Sequence, residues 1–151
     1  MRIRPAESAD AAPIASLLDE LGYPQDGVQS VEARLKTFAD NPASMVLVAE
    51  QAVEQATEAA ELLGVIAVHV SPFFEKDGSW ARIVALVVAD QARGRGIGAE
   101  LVAAAEAFAI ERGCSRMEVT SSDRRARAHD FYLARGYLDQ AGKSSRFLRD
   151  L

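Results

Sequence analysis

Gln91-Ala92-Arg93-Gly94-Arg95-Gly96-Ile97-Gly98 sets three glycines at alternate positions, with arginines before and between them. Residue types in this spacing make a phosphate cradle. Glycine lets the backbone approach a ligand and expose its N–H groups, while the arginines supply charge. The apolar run Ile83 to Val88 before it reads as a buried strand. Leu101, Val102, Ala105, Phe108 and Ala109 after it fall at helical spacing, and Gly113 stands where a left-handed stop is wanted. The loop therefore opens onto a helix whose first N–H groups lack intrahelical acceptors and whose dipole is positive at that end.

Three cradles compete for this pattern. A Walker A loop ends in Gly-Lys-Ser/Thr, but Ala99 and Glu100 follow Gly98. Gly94-x-Gly96-x-x-Ala99 matches the dinucleotide-binding string, and Glu118 follows about twenty residues on. There the turn begins almost at the strand end, whereas here Ala89 to Arg93 intervene, and Glu118 sits inside a strand-like run. An ordinary strand-to-helix connection is the plain reading.

Gln91-x-x-Gly94-x-Gly96 between an apolar strand and a helix resembles the acyl-coenzyme A pyrophosphate motif of the GNAT superfamily of N-acyltransferases. Ala128-His129-Asp130-Phe131-Tyr132-Leu133-Ala134-Arg135-Gly136-Tyr137 resembles that family's later signature, a helix ending in a Tyr and a Gly-aromatic pair. Ile3-Arg4-Pro5-Ala6 with Asp10 is similar to the opening of such domains, so the resemblance covers nearly the whole chain. It implies acetyl transfer from acetyl-CoA to a primary amine by direct attack. Val87, Val88, Gln91, Arg93, Gly94, Arg95, Gly96, Ile97 and Gly98 would hold the cosubstrate, with backbone N–H near Val87-Val88 facing the thioester. Tyr132 would act as general acid to the departing thiolate. A phenol with a reference pKa of about 10 can protonate a thiolate of about 8.5 when positioned for it. The alternative role for Tyr132 is a core tyrosine with one hydrogen-bonded end.

Two departures from the family pattern stand out. Arg125 occupies the position seven residues before Tyr132 where many members carry Asn. The strand Ala81 to Val88 has no carboxylate where many carry Glu, so the general base is unassigned. Glu118, His69 or an ordered water chain could serve. His129 shares a helix side with Tyr132 at i and i+3 and would touch the cosubstrate or pack on the surface. A non-catalytic acyl-CoA sensor is the alternative function, and a dinucleotide-binding module a third.

The elements that must position these residues are legible in order. The chain has 151 residues, 49% hydrophobic and 26% charged, a composition for one soluble domain over 1–151. Ile3 begins a strand, and Ser8 or Asp10 can cap a helix in which Ile14, Leu17, Leu18 and Leu21 share a face up to Gly22. Val31, Leu35 and Phe38 mark a second helix. Met45 to Glu50 and Leu62 to Val70 read as strands, and the Ala- and Glu-rich stretch Gln51 to Glu61 between them as a helical excursion. Ser71 to Trp80 reads as a loop with three aromatics, either a cap on the sheet or part of the acceptor pocket. Ser115 to Ser121 is a strand, Ser122-Asp123 a cap for the helix carrying Tyr132, and Ser145 to Leu151 a final edge strand. The expected fold is α/β (α+β), a GNAT-like mixed, mostly antiparallel central sheet with helices on both faces.

Composition narrows the partners. A net charge of −5 argues against nucleic acid, and no apolar run approaches a membrane span or a signal core. Cys114 alone cannot form an internal disulfide and reads as a structural thiol, which with the foregoing points to the cytoplasm. No metal-ligand spacing and no Gly-x-Ser-x-Gly elbow occur. The acceptor is a small-molecule or protein amine, and a homodimer is compatible with such a domain. Arg93 and Arg95 are expected to meet the anionic cosubstrate, Arg112 and Arg135 to solvate helix faces.

Overall fold

The computed structural model describes residues 1–52 and 60–151, in two compact units, Met1–Thr120 and Ser121–Leu151. In the first unit β1 (Arg2–Pro5), β2 (Ser44–Glu50), β3 (Leu62–Pro72), β4 (Ser79–Val88) and β5 (Cys114–Val119) form one sheet in that order. The first three pairings are antiparallel and β4–β5 is parallel. The parallel step follows from the connection: α3 (Ile97–Glu111) carries the chain back along the sheet before β5 begins. Leu62 to Val68 are buried at seven successive positions. Because neighbouring residues of a strand point to opposite faces, both faces of β3 must be covered. α3 lies on one face across β2 to β5. On the other, α1 (Ala11–Leu21) packs on β3 and β4, beside α2 (Val28–Ala39) on β2. The mixed α/β architecture and the two helix layers agree with the sequence reading.

Helix ends follow local chemistry. Gly22 takes φ 101°, and its N–H and that of Tyr23 bond Asp19 O and Leu18 O, both at 3.0 Å, which stops α1. Leu63, Ile66, Leu101, Val102, Val31, Val48 and Val68 form the fully buried centre, where each large side chain contributes about 1.5–3 kcal/mol by leaving water. Asp10 is the one buried charged side chain among the described residues, 6% exposed. The sequence offered it as a helix cap; it instead accepts two hydrogen bonds from Arg4, at 2.8 and 2.9 Å, and one from Glu7 N–H at 2.7 Å. Arg4 also donates to Glu50 at 2.8 Å, tying β1 to β2. These bonds from Arg4 hold the Asp10 carboxyl below its ordinary range despite burial, and raise Arg4 in turn.

The expected loop Ser71 to Trp80 is shorter. Pro72 pairs with Ser79 and Ser71 with Trp80, so both strands continue into it. Phe73 N–H bonds Gly78 O at 2.9 Å, and Gly78 at φ 98° supplies the reversal, leaving only 73–78 outside the ladder. Phe74 is fully exposed, while Lys76 lies 4.4 Å over the Phe73 ring. Gln51 N–H bonds Glu61 O at 2.8 Å, closing the β2–β3 connection. The interior of the helical excursion read there, 53–59, lies outside the described residues.

The second unit holds α4 (Ala126–Ala134). Ser122 and Asp123 do not cap it: its first turn follows Arg125, whose N–H bonds Ser122 O at 3.0 Å. The expected edge strand Ser145 to Leu151 is absent among the described residues. That segment is exposed throughout, with Phe147 at 93%, and has no ladder partner to satisfy its N–H and C=O groups. A strand is a property of a pair, which alternation within one segment does not supply.

Candidate active site

The first feature of the site is an opening in the sheet. β4 pairs with β5 only as far as Ile83–Val119. At that level β4 bulges: Ala85 pairs with Ala67 and Ile83 with Val68, so Val84 has no partner and is 46% exposed. β5 ends at Val119, so Val84 to Val88 run on beyond its last pair, and the bulge adds a local bend and twist there. Ala89 N–H bonds Leu63 O at 2.8 Å. Alternation along an antiparallel ladder then turns the N–H and C=O groups of Val87 and Ala85 toward β3, and those of Val88 and Leu86 toward the open edge. Val87 is buried with its amide in the ladder. Val88 faces the gap, and so does Leu86, which the sequence reading passed over. The signal that would have found Leu86 is the period of two, which makes Val88 and Leu86 equivalent.

At the carboxyl end of this strand lies the cradle. Asp90–Ala92 form one 3-10 turn, and Gly94 (φ 78°) and Gly96 (φ 81°) both adopt the left-handed conformation. Nothing lies within 4 Å of where a Cβ would stand on either, so space is open above the loop. Glu100 N–H to Gly96 O, 3.1 Å, is the first helical bond. The N–H groups of Ile97, Gly98 and Ala99 therefore have no intrahelical acceptor, and no side chain caps them. Free N–H groups at a helix start, beside the positive end of its dipole, are donors that can take an anion such as a phosphate. Arg93 is held by Asp90 at 2.9 Å, both side chains more than half exposed, an ion pair of about 1 kcal/mol or less that an anionic ligand can replace. Arg95 donates to Gln51 Oε1 at 3.1 Å.

Gln91 is exposed, and its amide donates to Glu61 Oε1, one residue before β3, at 3.1 Å; Asp90 N–H donates to Glu20 Oε2 of α1 at 3.1 Å. These tethers come from residues 30 and 70 positions away, beyond what local spacing can reveal.

Tyr132 lies on α4, half-buried, with edge-on rings of Phe131 and Tyr137 at 5.2 and 5.6 Å. Burial raises its pKa and the Arg125 charge opposes this, so the phenol stays protonated at neutral pH. Gly136 (φ 86°) ends the helix: its N–H bonds Leu133 O at 3.1 Å, and Tyr137 N–H bonds Tyr132 O at 3.1 Å. The Gly-aromatic pair is thus a helix stop. His129 Nε2 lies 2.9 Å from Ser122 O, which ties the ring to its own unit. Arg135 and Arg112 stack on Phe131 and Phe108 at 4.1 and 4.6 Å. Cys114 is half-buried, and burial pushes its thiol up.

Of the base candidates, Glu118 is exposed on β5, and His69 on β3 is half-buried with Nδ1 2.8 Å from Ser44 Oγ. Among the described residues no group of three or more His, Cys, Asp or Glu is placed to hold a metal, and no helix is long and apolar enough to cross a membrane.

Residues 13–137 match the model of the Acetyltransferase (GNAT) family. The chain is 31% identical over 148 residues to the uncharacterized N-acetyltransferase YhfO of Bacillus subtilis, covering 94% of this chain and 93% of that one. It is 30% identical over 136 residues to an aminoalkylphosphonate N-acetyltransferase of Salmonella typhimurium, covering 85% and 88%. A GNAT family acetyltransferase of Staphylococcus aureus shares the fold with a TM-score of 0.76 at 23% identity, over 99% of this chain and 98% of that chain. The chain therefore belongs to the GNAT acetyltransferase family and is an acyl-CoA-dependent acetyltransferase.

Proposed function

We propose that this enzyme moves an acetyl group from acetyl-CoA to a primary amine of a small molecule or protein by direct attack. The observation that carries the reading is the adjacency of two features on β4: an edge whose amides at Leu86 and Val88 have left the ladder, and a phosphate cradle directly beyond it. Backbone amides fixed in a strand can receive the thioester oxygen as charge develops on it, with no cost of reorganisation. Gly94, Gly96, Ile97 and Gly98 would present N–H groups to the pyrophosphate, with Arg93 and Arg95 exchanging Asp90 and Gln51 for phosphate oxygens. Tyr132, as general acid, would protonate the departing thiolate; its protonated state supports this role. The likeness to N-acetyltransferases favours catalysis over a non-catalytic sensor.

The family match runs from 13 to 137, through both units, which supports a single acetyltransferase domain over 1–151. An acceptor that is a small amine is in keeping with the Salmonella relative's name, so an aminoalkylphosphonate belongs in the first screen. The test is release of free thiol from acetyl-CoA across a panel of aminoalkylphosphonates, polyamines, amino acids, aminoglycosides and peptides. Turnover with at least one amine is expected. Tight acetyl-CoA binding without thiol release from any of them would return the sensor.

A further inference from the structure

The reaction needs a group to remove a proton from the acceptor, because an ammonium has no lone pair with which to attack. β4 carries no carboxylate. The registers of four strands nevertheless set one polar row across the sheet: Ser44 opposite His69, His69 opposite Arg82, and Arg82 opposite Glu118. Residues directly opposite in a ladder share a face. His69 lies five residues from Gly64, and Gly64 faces Leu101 and Ile97 of α3, so the row occupies the face away from α3. It also lies one rung before the last β4–β5 pair, Ile83–Val119, hence about 3 Å along the strands from where the gap opens.

Within this row His69 is held in a particular way. Ser44 Oγ fixes Nδ1 at 2.8 Å, and among the described residues Nε2 has no partner. The Arg82 guanidinium donates to Thr120 Oγ1, just past β5, at 2.6 Å. Among the described residues, several charged groups on the helices of this face have partners of their own. On α1, Asp19 accepts Gln25 N–H and Glu20 accepts Asp90 N–H; on α2, Lys36 pairs with Asp40. Glu118 is exposed, with Arg82 between it and His69. The charged side chains of α3 stand on a helix that covers the opposite face.

We propose that His69, oriented by Ser44, is the base that deprotonates the acceptor. This rests on the acetyl-transfer reading above. With Nδ1–H donating to Ser44 Oγ, the Nε2 lone pair takes one proton from the acceptor ammonium. The neutral amine attacks the thioester carbonyl and forms the C–N bond, the C–S bond breaks, the second amine proton ends on the departing thiolate by way of the Tyr132 hydroxyl, and the imidazolium returns its proton to water. Imidazole is suited to this because it changes charge near neutral pH.

The test compares two nucleophiles with acetyl-CoA at about pH 7.5: ethanolamine, which is almost wholly ammonium there, and hydroxylamine, which is already neutral and needs no base. His69→Gln should lower kcat/KM with ethanolamine by about 10²-fold and leave hydroxylamine nearly unchanged, with unaltered melting temperature. Ser44→Ala should give a smaller loss, restored by Ser44→Thr. The rise of kcat/KM with pH that a general base imposes on the ethanolamine reaction should vanish in His69→Gln. Calorimetric binding of acetyl-CoA to the wild type reports the underlying reading separately. Equal losses with both nucleophiles, a pH dependence that persists in His69→Gln and vanishes in Glu118→Gln, or a wild type that binds acetyl-CoA and releases thiol with neither nucleophile would each overturn the proposal.

Discussion

Gly64 and Val87 meet through an atom that Gly64 lacks: a Cβ on Gly64 would stand 2.8 Å from Val87 O and 3.0 Å from Leu101 Cδ1. Both neighbours are constrained, the first being backbone and the second a fully buried side chain. Gly64→Ala should therefore destabilise the protein by about 1–3 kcal/mol through overpacking. Because Val87 leads into the cradle, acetyl-CoA affinity should fall as well. Denaturant unfolding and calorimetry check the pair of effects, and a variant of wild-type stability would show that β3 and β4 can separate without cost.

Gly96 has φ 81° and open space above it, and in the proposed reading its backbone meets the pyrophosphate. Gly96→Glu puts a side chain and a negative charge there, so acetyl-CoA binding should fall below detection in calorimetry while far-ultraviolet circular dichroism remains native. A left-handed conformation costs a non-glycine residue about 1–2 kcal/mol, so the melting temperature should drop modestly. Retained affinity in a folded variant would reduce the loop to a connection.

Among the described residues Arg95 has one hydrogen-bond partner, the Gln51 amide. If it serves phosphate, Arg95→Ala should weaken coenzyme A thioesters about tenfold or more and leave an acetylated pantetheine, which lacks the pyrophosphate, nearly untouched. Equal weakening of both ligands would mean that Arg95 acts through general stability.

Tyr132→Phe keeps the ring and its contacts with Phe131 and Tyr137 and removes only the hydroxyl, the proton donor. Turnover should fall by about 10²- to 10⁴-fold with little change in cosubstrate affinity. The loss should shrink for an acyl donor whose thiol is more acidic. A structural tyrosine would give a decrease indifferent to the leaving group.

Acid sensitivity should trace to Asp10. Its folded pKa lies below the unfolded value of about 3.9, so the stability it contributes is fully present above that value and is lost as pH falls through the folded one. Asp10→Asn should cost about 3 kcal/mol at neutral pH, the lower end for breaking a buried pair because Glu50 still engages Arg4. The difference from wild type in urea unfolding should narrow below about pH 3.9. A gap constant with pH would show that the pair does not govern acid stability.

Periodicity and glycine placement determined much of this protein from its sequence. The apolar run ending at Val88, the glycines at 94, 96 and 98 and the helical spacing from Leu101 to Ala109 are local patterns, and each depends on residues within about a turn or a strand of one another. Other features needed tertiary structure, because they are relations between distant segments. The bulge at Val84 exists only relative to β3, and the gap only relative to β5. Which of two neighbouring amides, Val87 or Val88, faces the gap depends on a ladder bond from Ala89 to Leu63. The row Ser44, His69, Arg82 draws on three strands whose registers no single segment encodes. The tail from Ser145 failed as a strand for the same reason, since alternation names a face and a strand needs a neighbour.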